Sequence, residues 1–312
     1  MSTYRIIFLG TPEFAVPTLK ALYHNNYDVL AAVTKPDRPK GRGRRIVASP
    51  VKQAAVAVGC PVLQPPRVKE PWFLEEITAL DPDLFVVVAY GHILPGSVLA
   101  IPRLGAINIH ASLLPKYRGP APIQWAIINA EKETGVTTMW MDDGMDTGDI
   151  LLAAKVSIGP EETAQSLSNR LAELGAKLLV DTLKQLELGR LIGTPQDSSQ
   201  ASYAPLLKKE DGRIKWTEDA RYLDAFIRGM NPSPGAFTSL FSKRLKVFKG
   251  KCVQKETHEA PGTVLEGFPG DLNVATGRGI LTLEEVQLES GKRLAVEDFL
   301  RGCRVPSGTI LG

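Results

Sequence analysis

Asn108 and His110 stand two residues apart in the run INIH, 107–110. In an extended strand alternate side chains share a face, so the amide and the imidazole project together while Ile107 and Ile109 face the other way. An Asn amide is a neutral donor able to hold a developing oxyanion. A His beside it can donate to the same oxygen or move a proton near neutral pH. Two satisfied polar residues near a sheet edge would show the same spacing, and the spacing alone does not separate these readings. The strand then stops in Ser112-Leu113-Leu114-Pro115, and Gly119, Pro120 and Pro122 keep the following chain irregular.

A second constellation is MDDGMDTGDI, 141–150, in which Asp142, Asp143, Asp146 and Asp149 punctuate a Gly-rich loop after a strand. Its spacing is not that of a calcium-binding EF-hand, and no bidentate Glu closes it. A solvated turn is one reading. The other is that one of these carboxylates faces Asn108 and His110, orients the imidazole and assists proton transfer. A nucleotide site is not indicated: GTPEF after the first strand lacks G-x-G-x-x-G, and GRGRR follows a Pro-rich loop rather than a strand. Ser112 is not in a G-x-S-x-G nucleophile elbow. The pattern points to acyl transfer by positioning and electrostatics, without a covalent enzyme intermediate.

These residues need a scaffold, and the first half of the chain supplies an alternating one. Strands are expected over 4–10, 27–34, 61–65, 83–90 and 106–110, with a further one near 134–142. Helices are expected over 12–25, 49–59, about 70–79 and 123–130. Ser49 reads as an N-cap with Pro50 at the first helical position and Gly59 past the end. The alternation predicts an α/β fold with an open, mostly parallel Rossmann-like sheet. In such sheets ligands bind at the carboxyl ends of the strands. A long helix from Ala164 to about Leu188 precedes the polar, Pro-flanked stretch 194–207, which reads as a linker. Beyond it, after one helix over 217–230, short strand-like pieces with recurring turn residues predict a smaller β-barrel, OB-like domain over 208–312.

The chain has 312 residues and a net charge of only +3. That sum hides two basic segments, KPDRPKGRGRR (35–45) and KRLKVFKGKCVQK (243–255). Basic segments on a near-neutral protein indicate a specific anionic partner. Cys60, Cys252 and Cys303 are too few and too scattered for a disulfide framework or a zinc site, and read as ordinary thiols in a reducing cytosol. No apolar run approaches the roughly 18 to 20 residues of a membrane span, and the first residues do not read as a signal peptide. The expectation is a cytoplasmic protein with no metal and no membrane contact.

INIHASLLPKYRGPAPIQWAI together with MDDGMDTGDIL resembles the formyltransferases that use 10-formyltetrahydrofolate. FLGTPEFAVPTL, TKPDRPKGRGRR, ASPVK, VVVAYGHILP and the C-terminal part are similar to the branch whose acceptor is an initiator methionyl-tRNA. The resemblance covers almost the whole chain. It implies a catalytic trio of Asn108, His110 and Asp146, and a folate-binding loop of Ser112, Leu113, Leu114 and Pro115. It also implies that 88–95 and 141–146 enclose the pterin, and that 35–50 reaches the acceptor end of the tRNA through Arg42. The implied co-substrate is 10-formyltetrahydrofolate and the implied macromolecular partner is tRNA, held by a monomeric enzyme with residues 1–193 as catalytic domain and 208–312 as tRNA-binding domain.

Three rivals remain at this level. A formyltransferase acting on a small ribonucleotide amine would share the trio but would not need the basic insertion or the second domain. A tRNA-binding module would use the α/β part only as scaffold. A folate hydrolase would leave the basic surface without a purpose.

Overall fold

The computed structural model describes residues 4–40, 45–268 and 270–312, so Arg42 and the rest of the insertion's tip lie outside the described residues. The chain packs as two compact units, and neither is a continuous stretch of sequence.

The first unit comprises Met1–Gly119, Thr134–Val156 and Ser168–Tyr203. Up to the Asn/His strand its elements are β1 (Arg5–Gly10), α1 (Val16–His24), β2 (Asp28–Val33), β3 (Arg38–Lys40), β4 (Arg45–Val47), α2 (Pro50–Ala57), β5 (Val62–Leu63), α3 (Pro71–Ala79), β6 (Leu84–Val88), α4 (Gly96–Leu99) and β7 (Ala106–His110). The helix α5 (Pro122–Ile128) follows, then β8 (Glu133–Trp140), β9 (Ile150–Ser157) and α6 (Ala164–Glu187). Seven strands form one sheet in the order β5-β2-β1-β6-β7-β8-β9. The first five run parallel, and β8 turns antiparallel to β7.

The physical reason lies in burial. All five residues of β6, LFVVV, are buried, as a parallel strand covered on both faces requires. Each such side chain contributes about 1.5–3 kcal/mol on removal from water. Ile7, Leu9, Phe73, Ile77, Phe85 and Val87 belong to the core on one side of this sheet. The Ser49 cap forms as expected: its Oγ accepts from Lys52 N at 3.0 Å and is paired at 2.7 Å with Thr34 Oγ1. The expected 12–25 helix instead begins as a 3-10 turn over Glu13–Ala15, with α1 starting at Val16. The basic loop is not wholly irregular, because β3 and β4 pair as a short antiparallel hairpin.

The second unit comprises Pro120–Glu133, Ser157–Leu167 and Ala204–Gly312. It adds α7 (Ala220–Met230), β10 (Ala236–Leu240), β11 (Lys243–Val253), β12 (Leu272–Ala275), β13 (Ile280–Leu288), β14 (Leu294–Ala295) and α8 (Val296–Gly302). The strands form a curled antiparallel sheet in the order β10-β11-β13-β12, with β14 pairing to β13. GTVLEG contributes only bridges at Thr263 and Val264 rather than a full strand. The pairing of β11 with β13 shifts register between Val247 and Lys249 and shifts back between Lys249 and Gly250, so both strands are irregular there and the register on either side is the same. Across this irregularity Val247 and Gly250 are buried while Lys249 is exposed. The helix α5 belongs to this unit, where Ile128 shares a core with Leu223, Ile227 and Met230. The two helices approach at Gly229, where a Cβ would lie 2.6 Å from Ile128 Cγ1 and 2.9 Å from Gln124 O.

Candidate active site

The pleat of β7 presents Asn108 and His110 on one face, as alternation requires. His110 is 6% exposed. The aspartate loop reaches them by an indirect route. Trp140, at the end of β8, pairs with Ile107 near the start of β7. The loop therefore begins at the far end of the strand from His110 and folds back over the face that carries the pair. Asp146 is the carboxylate that arrives. Its Oδ1 lies 3.5 Å from Asn108 Nδ2 and its Oδ2 lies 3.6 Å from His110 Nδ1. Of the loop's other acids, Asp142 accepts from Gly144 N at 3.0 Å and Thr147 Oγ1 at 2.7 Å. Asp146 has φ 55°, a left-handed conformation that Asp tolerates better than most residues but that still costs on the order of 1 kcal/mol.

Several groups hold that conformation. Gly119 N donates to Asp146 Oδ2 at 2.8 Å. Gln196 Nε2 donates to the carbonyls of Asp146 at 2.9 Å and Gly148 at 2.8 Å. Gln196 Oε1 accepts from Arg118 Nε at 3.0 Å and Nη2 at 2.7 Å. Arg118 is 3% exposed, so its guanidinium is a buried anchor rather than a surface charge. The segment 194–207, expected to be a linker from its composition, thus places Gln196 against the aspartate loop and Ser202 against 117–118. Ser202 Oγ accepts from Tyr117 N at 2.9 Å, and Ser202 O accepts from Arg118 N at 2.8 Å. Gln196 and Arg118 had no recognisable pattern in the sequence, since their pairing spans 78 residues.

The His110 ring is oriented by its other nitrogen. Nε2 lies 3.0 Å from Tyr117 O. A carbonyl only accepts, so Nε2 carries a proton, and Nδ1 is the nitrogen that faces Asp146.

The Ser112–Pro115 turn sits immediately after β7. Ser112 Oγ donates to Lys116 O at 2.6 Å and Thr137 Oγ1 donates to Ser112 O at 2.7 Å, while Leu114 N donates to Thr137 Oγ1 at 3.2 Å. Ser112 and Leu114 are buried and Leu113 and Pro115 half-buried. The Ser112 hydroxyl is therefore a brace of the turn, and Leu113 and Pro115 are the members left to meet a ligand. The three cysteines are free. Among the described residues no group of three His, Cys, Asp or Glu side chains could hold a metal, and no helix is long and apolar enough to cross a membrane.

Comparison with known proteins gives a consistent picture. Residues 4–183 match the family model described as formyl transferase, and residues 206–304 match the model of the formyl transferase C-terminal domain. The chain is 50% identical over 312 residues to methionyl-tRNA formyltransferase of Syntrophus aciditrophicus, with the whole of both chains covered. It is 51% identical, again over the full length of both, to that of Geobacter metallireducens. Among solved structures it is similar to an N-formyltransferase from Helicobacter canadensis in complex with folinic acid and dTDP-3-aminofucose, with a TM-score of 0.68, 19% identity, and 94% of this chain and 100% of that one covered. It is also similar to HypX from Aquifex aeolicus in complex with tetrahydrofolic acid, with a TM-score of 0.64 and 18% identity. That match covers 96% of this chain and 47% of HypX, and at these identities both structures speak for the fold alone.

Proposed function

The chain belongs to the methionyl-tRNA formyltransferase family, and we propose that Asn108, His110 and Asp146 carry its formyl transfer from 10-formyltetrahydrofolate to the α-amine of methionyl-tRNA. The observation that carries the assignment is the Asp146 carboxylate poised between the Asn108 amide and the His110 imidazole. The folate supplies the formyl carbon. At a reference pKa of about 7.7–8.0, a useful fraction of the attacking α-amine is neutral without a strong base.

The residues then have distinct tasks. Asn108 Nδ2 is at the outer limit of a hydrogen bond with Asp146, so its N–H is available to a stronger acceptor, the oxygen that becomes anionic during transfer. His110 donates through Nε2 to Tyr117 O, which leaves Nδ1 to exchange a proton at the reacting atoms. Asp146, fixed by Gly119 N, orients a protonated Nδ1 and compensates its charge. Leu113 and Pro115, with the turn braced by Ser112 and Leu114, offer the apolar contact a pterin needs. The fit rests on those half-buried faces and on the loosely held amide beside them.

Arg42, outside the described residues, is proposed to contact the acceptor end of the tRNA. The division into 1–193 for catalysis, 194–207 as connection and 208–312 for holding tRNA is proposed as one of labour, distinct from the packing units. A monomer in the cytoplasm is the proposed setting; free thiols suit a reducing compartment.

The test is formyl transfer to methionyl-tRNA measured beside transfer to a small ribonucleotide amine. Transfer to the tRNA alone is the expected result, and transfer to the small amine alone would overturn the reading. Replacing Arg42 by Ala should raise KM for tRNA or lower kcat while folate affinity stays unchanged; an unaltered tRNA dependence would remove that role.

A further inference from the structure

Tyr117 offers its carbonyl to His110 from a backbone conformation that a bulky residue rarely adopts. Its φ is 60°, in the left-handed region, where the Cβ crowds the following carbonyl oxygen. Such a conformation persists only where the surroundings over-determine it. Here the two peptide planes that meet at Tyr117 are each gripped at both ends. In the plane before it, Lys116 O accepts from Ser112 Oγ at 2.6 Å and Tyr117 N donates to Ser202 Oγ at 2.9 Å. In the plane after it, Tyr117 O lies 3.0 Å from His110 Nε2 and Arg118 N donates to Ser202 O at 2.8 Å.

Ser202 therefore takes the N–H of both planes, one with its hydroxyl and the other with its carbonyl. It reaches Tyr117 from 85 residues further along the chain, and the next residue, Tyr203, bridges to Arg118 in parallel. All of these residues belong to the first unit. The angle between the two planes decides where Tyr117 O points, and so which nitrogen of the buried His110 finds an acceptor there. A neutral imidazole has one N–H, and two acceptors compete for it. Tyr117 O stands within hydrogen-bond reach of Nε2, whereas the Asp146 carboxylate, a stronger acceptor, stands 3.6 Å from Nδ1 and out of reach. The carbonyl keeps the proton because its position is held.

We propose that Ser202 is a positioning residue for formyl transfer, which by clamping Tyr117 keeps the proton of neutral His110 on Nε2 and leaves Nδ1 bare toward the reacting atoms. The proposal rests on the reading of His110 as the group that exchanges a proton there. Without the Ser202 hydroxyl, Tyr117 N seeks another acceptor, the backbone relaxes toward negative φ and the carbonyl swings away from Nε2. The ring proton then moves to Nδ1, where Asp146 accepts it. In that tautomer Nδ1 has no lone pair left to take a proton, and the bare nitrogen faces away from the reacting atoms.

The experiment uses the full chain with Ser202→Ala and with the pair Ser202→Thr and Ser202→Val, which are nearly equal in volume and differ in the hydroxyl. Losing one positioning hydrogen bond should lower kcat about tenfold in the Ala and Val variants, with Thr close to wild type and KM for methionyl-tRNA and for folate unchanged in all three. The chain has four His, so nitrogen-15 labelling of histidine gives few ring signals, and His110→Gln identifies those of His110. Where the ring is neutral, the wild type and Ser202→Thr should show Nε2 protonated and Nδ1 bare, and Ser202→Ala and Ser202→Val should shift toward the opposite tautomer. A lower kcat with the tautomer unchanged would overturn the proposal, as would an Nδ1–H tautomer in the wild type. A Val variant as active as Thr would show that the hydroxyl is not the clamp, and a raised KM with kcat unchanged would place Ser202 in substrate binding instead. The ring signals do not depend on turnover, so near-normal activity of His110→Ala would strike the functional reading, while the clamp itself would still stand or fall on the tautomer.

Discussion

At the scale of single residues the site is loosely made where chemistry is expected and tightly made behind it. The two contacts of Asp146 with Asn108 and His110 are 3.5 and 3.6 Å, whereas Gly119 and Gln196 reach it at 2.8 and 2.9 Å. Substituting Ala for Asn108, His110 or Asp146 should each lower kcat on the order of 100- to 1000-fold while folate binding persists. Steady-state turnover beside folate binding checks this, and near-normal turnover in all three would sink the assignment. Gln196→Glu keeps the acceptor for Arg118 but removes both N–H donors to the aspartate loop. We expect kcat to fall about tenfold, equal to about 1.4 kcal/mol, with KM for tRNA little changed; a KM effect alone would show that Gln196 does not position Asp146. Asn108 and His110 were legible in sequence because a strand's period of two fixes which side chains meet. Gln196 and Arg118 were not, because a polar stretch bounded by prolines looks the same whether it is solvated or packed against a loop.

At the scale of elements, local chemistry decided what could be read. The Ser49 cap and the apolar β6 follow from rules that act within a few residues. The reversal of β8, which makes the aspartate loop double back over the sheet, depends on long-range pairing and leaves no local mark. The β3–β4 hairpin was hidden by its own composition, since charged and Pro-containing stretches favour a loop reading. Ser49→Ala removes the cap and its link to Thr34, and should cost about 1 kcal/mol by chemical denaturation. Asp83 joins the start of β1 to the start of β6 by accepting from Arg5 N at 2.9 Å. That backbone bond, ahead of its bond from Arg103, holds its carboxyl below the usual carboxylate range. A depressed acid contributes stability above its unfolded pKa and loses it as pH falls through the folded value. The stability gap between wild type and Asp83→Asn should therefore be constant near neutrality and close below about pH 4. A gap that persists at low pH would mean that the charge is not what joins the strands.

For the whole molecule, the second basic segment must be read with its partners. Lys249 is paired with Glu284 at 2.9 Å, which raises its pKa and occupies its charge. Lys246 and Lys251 have no such ion pair among the described residues. Neutralising these two should flatten the salt dependence of tRNA affinity by roughly 0.9 for each phosphate they had neutralised, while Lys249→Ala changes it little. Titrations at several salt concentrations check this, and an unaltered slope in the double variant would show that β11 does not touch the tRNA backbone. The sum of charges was legible in sequence; which of them is already spent inside the fold was not.

The place of α5 has a consequence for how the chain is made. Its partner α7 begins only at Ala220, long after Ile128 has left the ribosome. Roughly 90 residues of synthesis separate the two, on the order of 5–20 s at 5–20 residues per second. Through that interval the apolar face that ends in Ile128 waits uncovered on the nascent chain, and no release of an N-terminal fragment at any point before α7 can yield a finished fold. A stall or early stop between 130 and 220 should leave a chaperone-bound, aggregation-prone chain instead of a working half-enzyme, which ribosome-bound chains of graded length would show by limited proteolysis.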